Sequence, residues 1–237
     1  MSEPEYQCRE RVSPAEFIKD YLDFGVYNGV LSIKAYLVYW DLLSENSKKI
    51  RMAKIMAEYG RAIEEIFAFL YVMAEQASAK EDVFFERLIY YDSKCLNEFI
   101  DSTDFSRLCQ MLHLADPADA AGDLGISADK IKTIIDETVT LLYDLRDERK
   151  KGYKGIYNKL KHPFLVYSKV PAKINQGLSF GIMRKPEVKG QTDVDCVPVI
   201  TSKEQALAHL QNARMICYTL KFLLKYFLVS YELRAVQ

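Results

Sequence analysis

Apolar residues recur with the 3.6-residue period of an α-helix along most of the chain. The period is clearest in three stretches, and it predicts a core helix over residues 47–78, an amphipathic helix that starts at 128, and a C-terminal helix over 203–234. The last turns of the core helix, IFAFLYVMA, are apolar on every side and are expected to be buried. The apolar stripes comprise Ile50, Ala53, Ala57, Ile63, Ile66, Phe67, Leu70 and Met73 in the first helix, Ile131, Ile134, Ile135, Thr138, Leu142 and Leu145 in the second, and Ala206, Leu210, Ala213, Cys217, Leu220, Leu224 and Phe227 in the third.

The helix boundaries follow from capping residues. The sequences SPAE at 13–16 and SKEQ at 202–205 are capping boxes, in which the serine hydroxyl accepts the amide of the fourth residue and that residue's side chain accepts the amide of the serine. The first box starts a predicted helix over 13–45, and the second starts the C-terminal helix. Asn46 is the predicted N-cap of the 47–78 helix, which we expect to pack antiparallel to the helix before it.

Glycine, aspartate and proline mark the breaks between the predicted helices. The first helix is expected to break or bend between Gly25 and Gly29, and residues 81–116 are expected to form shorter helices. The segment DPADAAGDLGIS at 116–127 is predicted to be a loop and the main internal break. The next helix is predicted over 128–162, where Pro163 ends it because the residue before a proline is disfavoured in the α region.

The hydrophobic period changes between residues 164 and 200. Here the runs FLVYSKV, LSFGIMR and DVDCVPVI are short, β-branched or alternating, and turn residues separate them. They predict a β hairpin or three-stranded ribbon over 164–200, in which Pro198 lies at an edge or a strand end because proline donates no ladder hydrogen bond. The expected fold is one mainly α domain over 1–237, a helical bundle with a small β insertion before its last helix.

Composition supports a helix-rich globular chain. Of the 237 residues, 49% are apolar and 10 are Gly, which is unlike a disordered or collagen-like chain. The five cysteines are scattered without a C-x-x-C spacing, so we expect buried apolar thiols in a reducing cytoplasm, with neither a disulfide framework nor a zinc site. The N-terminus has no apolar signal core, and Lys34, Lys221 and Lys225 interrupt the most apolar runs. Neither export nor membrane association is therefore expected.

The charge distribution is uneven although the totals nearly cancel, with 32 Lys and Arg against 33 Asp and Glu. Residues 81–147 carry 15 acidic and 6 basic side chains, a net charge of −9, whereas residues 148–190 carry 11 basic and 2 acidic side chains, a net charge of +9. Aromatic residues lie among these basic side chains, at Tyr153, Tyr157, Phe164 and Tyr167. This mixture is typical of segments that bind single-stranded nucleic acid or another polyanion. The alternative is that the basic segment pairs with the acidic one, within the chain or across an oligomer.

Only one of the three histidines lies in a pattern that indicates chemistry. His113 and His209 have apolar neighbours in sequence and are expected to have packing or surface roles. Helical spacing places Lys154, Asn158 and His162 on one face, at i, i+4 and i+8. Such a stripe offers the cation, the amide and the imidazole that metal-independent RNA cleavage uses for charge stabilisation and proton transfer. The alternative is a helix-terminal histidine bonded to nearby carbonyls beside solvated lysines.

The sequence YNKLKH at 157–162 lies at the end of a predicted helix, after a long amphipathic helix and before a short β segment and a final long helix. This arrangement resembles the HEPN superfamily of helical bundles. The resemblance covers about residues 40–235. It implies a homodimer with a composite site and a metal-independent endoribonuclease of the kind found in toxin–antitoxin pairs and phage defence. Asn158 and His162 match the polar residue and the histidine of the family motif. Its arginine has no counterpart, because Gly155, Ile156 and Tyr157 occupy the available positions.

Two functions therefore stay open. The first is an HEPN-like protein that binds RNA or a nucleotide through residues 149–173 and cleaves RNA. In this function His162 is the general base or acid, and Asn158 orients the phosphate or the imidazole. Lys154 and Lys161 stabilise the negative charge of the phosphorane. The predicted RNA-binding residues are Arg149, Lys150, Lys151, Tyr157, Lys159, Lys161 and Lys169. The second is a non-catalytic module that docks an acidic partner protein or its own residues 81–147, a role that the resemblance implies for members with an incomplete motif. Neither function requires a metal or another cofactor. A small-molecule enzyme or nucleotide sensor is a third and less specific alternative.

Overall fold

The structure is a computed structural model that describes residues 12–153, 160, 166–167, 178–184 and 195–235. Its elements are α1 (Pro14–Asp20), α2 (Asn28–Leu37), α3 (Glu45–Ser78), α4 (Phe84–Tyr90), α5 (Ser93–Ser102), α6 (Leu108–Met111), α7 (Pro117–Leu124), α8 (Ala128–Glu148), β1 (Val166–Tyr167), β2 (Leu178–Arg184), β3 (Asp195–Thr201) and α9 (Lys203–Ala235). Two π-helical turns, Tyr21–Gly25 and Arg149–Tyr153, follow α1 and α8, and 3₁₀ turns lie at Trp40–Leu42 and Phe105–Arg107. The predicted mainly α fold with a small β insertion before the last helix is confirmed.

The long helices α3 and α9 form the centre of the bundle. Helix α3 packs against α9, α2, α4, α5 and β2, and α9 also packs against α1, α2 and α7. The IFAFLYVMA turns of α3 are buried or half-buried, and the predicted apolar stripe of α9 is buried throughout. In the predicted apolar stripe of α3, Ile50 is an exception because it is 61% exposed. The first turns of α3 bury Met52 and Ile55 instead. Among the described residues, no helix combines the length and the apolar character that crossing a membrane requires.

The N-terminal segment is divided into α1, a π-helical turn, α2 and a 3₁₀ turn, so the predicted helix over 13–45 is interrupted twice, once near Gly25 as expected. The first division coincides with Gly25, where a Cβ atom would lie 2.4 Å from the ring of Tyr21. The second follows α2, at Tyr39, whose φ of 56° is left-handed. There Arg51 Nη1 donates to the carbonyl oxygens of Tyr36 at 3.2 Å and Val38 at 2.6 Å, which holds the end of α2 in place.

The capping predictions are confirmed at both boxes and wrong at Asn46. Ser13 Oγ accepts the amide of Glu16 at 3.2 Å, and Glu16 Oε2 accepts the amide of Ser13 at 2.8 Å. The equivalent pair at 202–205 has distances of 3.3 Å and 3.1 Å. Helix α3 begins at Glu45 because Ser44 is its N-cap, with an Oγ that accepts the amide of Ser47 at 3.3 Å.

The predicted loop at 116–127 contains helix α7, so that prediction is wrong. Asp116 is the N-cap and accepts the amide of Ala118 at 2.8 Å, and proline follows in the first turn. Gly125 ends the helix with a φ of 68°, which glycine adopts without steric cost. The apolar surface of α7 is small, since Ala120 is the residue that it buries fully, packed with Ile131 of α8 and Tyr226 of α9.

The three strands form an antiparallel sheet in the order β1, β2, β3. Pro198 of β3 is paired with Gly181 of β2, and β3 lies at the edge of this order, as predicted. Phe180 and Ile182 of β2 are buried, and β2 packs against α3. The sheet therefore covers part of the surface of α3.

Candidate functional site

Three of the predicted site residues, Arg149, Lys150 and Lys151, lie in the π-helical turn that follows α8. Regular α-helix ends at Glu148 rather than extending through 128–162, and Gly152 inside the turn lowers the local preference for it. Further along, Leu160 is helical and buried in the main core. The remaining predicted site residues lie outside the described residues: Lys154, Tyr157, Asn158, Lys159, Lys161, His162 and Lys169.

The last residue of α8, Glu148, is anchored in the bundle. The hydroxyl of Tyr59 on α3 donates to Glu148 Oε2 at 2.8 Å and accepts from Asn212 Nδ2 on α9 at 3.4 Å. Tyr59 is fully buried, and burial, followed by the nearby Glu148 carboxylate, raises the pKa of its phenol well above the ordinary value. This hydrogen-bond network joins three helices at the point where the basic segment begins.

The next residue, Arg149, is bonded to another helix, α5. Its half-buried guanidinium donates from Nη2 to Asn97 Oδ1 on α5. Burial lowers the pKa of Arg149, while the carboxylates of Asp101 on α5 and Glu64 on α3 act in the opposite direction. Asn97 and Asp101 both lie within the acidic block, residues 81–147. Arg149 therefore tethers the start of the basic segment to that block.

Lys150 and Lys151 are exposed, in contrast to the two residues before them. The backbone that carries them follows directly from Glu148, which is bonded to Tyr59 on α3, and from Arg149, which is bonded to Asn97 on α5. These two exposed ammonium groups lie next to an anchored part of the backbone, and their positive charge can attract a polyanion.

His209 of α9 lies against the Tyr59 network. The centroids of the His209 and Tyr59 rings are 4.6 Å apart. Burial lowers the pKa of His209 to about 4, so its imidazole is neutral at pH 7. His113 is exposed and has a left-handed φ of 49°. The two histidines thus occupy a packed and a surface position, the kinds of role expected from the sequence.

Tyr59, Glu148 and Asn212 are bonded to one another beside the candidate site, and the sequence patterns did not single them out. A signal for Tyr59 was present, because helical spacing from Ile55 and Ile63 places it on the buried face of α3. A tyrosine on that face brings its hydroxyl into the core, where it requires a hydrogen-bond partner. The identity of the partners could not be predicted, since Glu148 and Asn212 are 89 and 153 residues away.

The described residues contain no group of three or more His, Cys, Asp or Glu side chains that could hold a metal ion. Cys217 is buried as expected, and burial raises the pKa of its thiol to about 11. Cys109 is half-buried, and Cys95 is exposed because α5 turns its other face, with Leu96, towards the core. The expectation of burial is therefore wrong for Cys95. Cys8 and the side chain of Cys196 lie outside the described part of the chain.

Comparisons with protein-family models, with curated proteins and with solved structures each return no match. The functional assignment therefore depends on the residues and contacts of this chain and on the motif at 157–162.

Proposed function

We propose that this chain is an HEPN-like protein that binds RNA through residues 149–173 and cleaves it without a metal ion. One observation carries the proposal: the basic segment has a fixed origin, because Glu148 and Arg149 are bonded to α3 and α5, while the next two lysines are exposed. Because the start of the basic segment is already held in place, RNA binding costs less conformational entropy than it would for an unanchored segment. The mainly α fold with a β insertion before the last helix is compatible with the resemblance from which the proposal starts.

The chemistry of the proposal follows from the predicted stripe of Lys154, Asn158 and His162. His162 takes the proton of a ribose 2′-hydroxyl, or donates one to the leaving 5′-oxygen. The 2′-oxygen forms a bond to phosphorus as the bond from phosphorus to the 5′-oxygen breaks, so the products are a cyclic phosphate and a 5′-hydroxyl. Asn158 orients the phosphate or the imidazole, and Lys154 with Lys161 stabilises the negative charge of the phosphorane.

The test is RNA cleavage in EDTA by the purified protein and by the His162→Ala variant, on labelled structured and unstructured RNA, with binding measured in parallel. We expect the wild-type protein to produce cyclic-phosphate ends and the variant to bind RNA without cleaving it. Cleavage that is unchanged in the variant contradicts the assignment of His162.

The matched control is His113→Asn. His113 is exposed and its φ of 49° is tolerated by asparagine better than by most residues. This variant should bind and cleave RNA as the wild-type protein does. A loss of cleavage in both variants would mean that the assay reports general damage and not the role of His162.

A non-catalytic interaction module is the second candidate, and the surroundings of Arg149 favour it. Arg149 is bonded to Asn97 and interacts with the carboxylates of Asp101 and Glu64, so the basic segment starts against acidic residues of its own chain. A module of this kind would dock an acidic partner protein or a second copy through the exposed lysines. It predicts salt-sensitive association in light scattering and no RNA cleavage. This second candidate would be rejected if the protein is monomeric at every salt concentration and cleaves RNA.

A further inference from the structure

Helices α2 and α9 lie side by side and run in opposite directions. Two hydrogen bonds fix this alignment. Lys203 Nζ, at the start of α9, donates to Asp41 Oδ2 at 2.7 Å, and Lys221 Nζ donates to the hydroxyl of Tyr27, just before α2, at 2.9 Å. The part of α9 between the two lysines is therefore level with the whole of α2.

The outer side of this helix pair is an exposed face with large apolar side chains. Its members follow Tyr27 at i+4, i+7 and i+11 and Lys203 at i+4, i+11 and i+15, which places them beside the two hydrogen bonds: Leu31, Lys34, Val38, Leu207, Arg214 and Tyr218. All six are exposed. Phe24 extends the face by one turn before Tyr27 and is 77% exposed.

The apolar part of this α2–α9 face is large for a single chain. A typical monomer has a largest apolar patch of about 300–600 Å², and that patch is often functional. The five large apolar side chains of the face are each 42–77% exposed, so together they form a patch on the order of that size. A patch of this kind indicates an interaction surface.

The charge of the face is balanced at its ends and positive in its middle. The two lysines that fix the alignment lie near Asp41 and Asp23, respectively. Between them, Lys34 of α2 and Arg214 of α9 are exposed, and neither forms an ion pair with another residue in the described part of the chain. The apolar side chains therefore surround a cationic centre.

This cationic centre disfavours a second copy of the chain as the occupant of the face. A two-fold interface brings the same patch of both copies together, so the two centres would face and repel each other. A helix with an apolar stripe and flanking carboxylates has the complementary pattern. Its stripe covers the exposed apolar side chains, and its carboxylates pair with Lys34 and Arg214.

We propose that the α2–α9 face docks an acidic amphipathic helix of a partner protein. The face is distinct from the proposed RNA-binding segment. Asn212, the residue of α9 that is bonded to Tyr59 beside Glu148, is two positions from Arg214 and so lies on nearly the opposite side of the helix.

The test is fluorescence anisotropy of the full chain with a labelled synthetic helix of about 18 residues, which matches the length of α9 between its two bonded lysines. The helix has a leucine stripe flanked by glutamates, and a second helix has the same stripe flanked by lysines. We expect the glutamate helix to bind saturably, with one helix per chain. The unlabelled lysine helix should displace it only at a concentration about tenfold higher than the unlabelled glutamate helix requires.

Substitutions on the face separate the apolar from the charged contribution. Leu31→Glu places a carboxylate in the apolar part and should weaken binding of the glutamate helix by about tenfold or more. Lys34→Glu/Arg214→Glu should weaken it by about fivefold or more and make the lysine helix the better competitor. All three positions are exposed, so both variants should fold, and thermal unfolding checks this.

Two controls test whether binding is specific to the face. Ile89→Glu is the matched control for Leu31→Glu, because Ile89 is 65% exposed on α4 and lies outside the face. Lys150→Gln/Lys151→Gln alters the basic segment instead. Both control variants should bind the glutamate helix like the wild-type protein.

Three results of the titrations would overturn the proposal. These are no saturable binding of the glutamate helix, unchanged affinity in Leu31→Glu, and an unchanged preference for glutamate in Lys34→Glu/Arg214→Glu. Sedimentation velocity adds a fourth. A wild-type dimer that Leu31→Glu dissociates would show that a second copy occupies the face and not a partner helix.

Discussion

The hydroxyl of Tyr59 fixes the position at which the basic segment leaves the bundle. It donates to Glu148 on α8 and accepts from Asn212 on α9, so one atom links the two helices to α3. Its neighbour His209 has a polar ring in the same buried region, with a pKa lowered to about 4 by burial. Polar groups inside a core contribute to stability only while they are partnered, so this region should respond strongly to single substitutions.

Tyr59→Phe should lower the free energy of unfolding by about 1–3 kcal/mol, because Glu148 loses a donor in a partly buried position. Urea unfolding measures the change. The matched variant Tyr143→Phe removes a hydroxyl that donates to Asp104 at 2.8 Å near the surface, and it should cost less than about 1 kcal/mol. Equal losses in the two variants would contradict the importance of the buried network.

The stability of the protein should decrease as the pH falls from about 6.5 towards 4. The pKa of His209 is about 4 in the folded state against 6.5 ordinarily, so the unfolded chain takes up the proton first and is favoured across that range. Each unit of difference in pKa corresponds to about 1.4 kcal/mol at full effect. His209→Leu should flatten this dependence of the urea midpoint on pH, whereas His113→Asn should leave it unchanged. An identical pH dependence in wild type and His209→Leu would refute the assignment.

Helices were predicted well where the apolar period and the capping residues agree. The C-terminal helix α9 has both, and its start at the second capping box is confirmed. Helix α7 has caps but little apolar surface, so its period gave no indication of a helix. The π-helical turns were not predicted, and their residues make contacts that no local pattern reports: Tyr21 with Glu65, 44 residues away, and Arg149 with Asn97, 52 residues away.

The π-helical turn after α1 should require Gly25. A Cβ atom there would lie 2.4 Å from the Tyr21 ring, which Glu65 holds in place, so Gly25→Ala should destabilise the protein by about 1–3 kcal/mol. At Gly122 in α7, an added Cβ atom would meet no other described heavy atom within 4 Å, so Gly122→Ala should stabilise the protein by about 0.5–1 kcal/mol. Thermal or urea unfolding compares the two. A change of the same sign in both variants would contradict this description of the turn.

The whole molecule is a bundle around α3 and α9 in which opposite charges meet at the end of α8. The fold class, the β insertion and the separation of acidic from basic segments could all be predicted from the sequence. The stripe of Lys154, Asn158 and His162 lies outside the described residues and stays a prediction. The anchoring of Glu148 and Arg149 could not be predicted, because no sequence pattern reports which side chains meet across a bundle.

The central claim is that exposed lysines on the anchored origin contact RNA phosphates. It is tested most directly by the salt dependence of single-stranded RNA binding in the double variant Lys150→Gln/Lys151→Gln. The control is Lys130→Gln/Lys132→Gln, two exposed lysines near the start of α8 in the acidic block. The slope of log K against log salt should become shallower by about 1.4 in the first variant, since each phosphate contact on a single strand contributes about 0.7, and should not change in the control. RNA binding without salt dependence in the wild type, or the same slope in both double variants, would contradict the account.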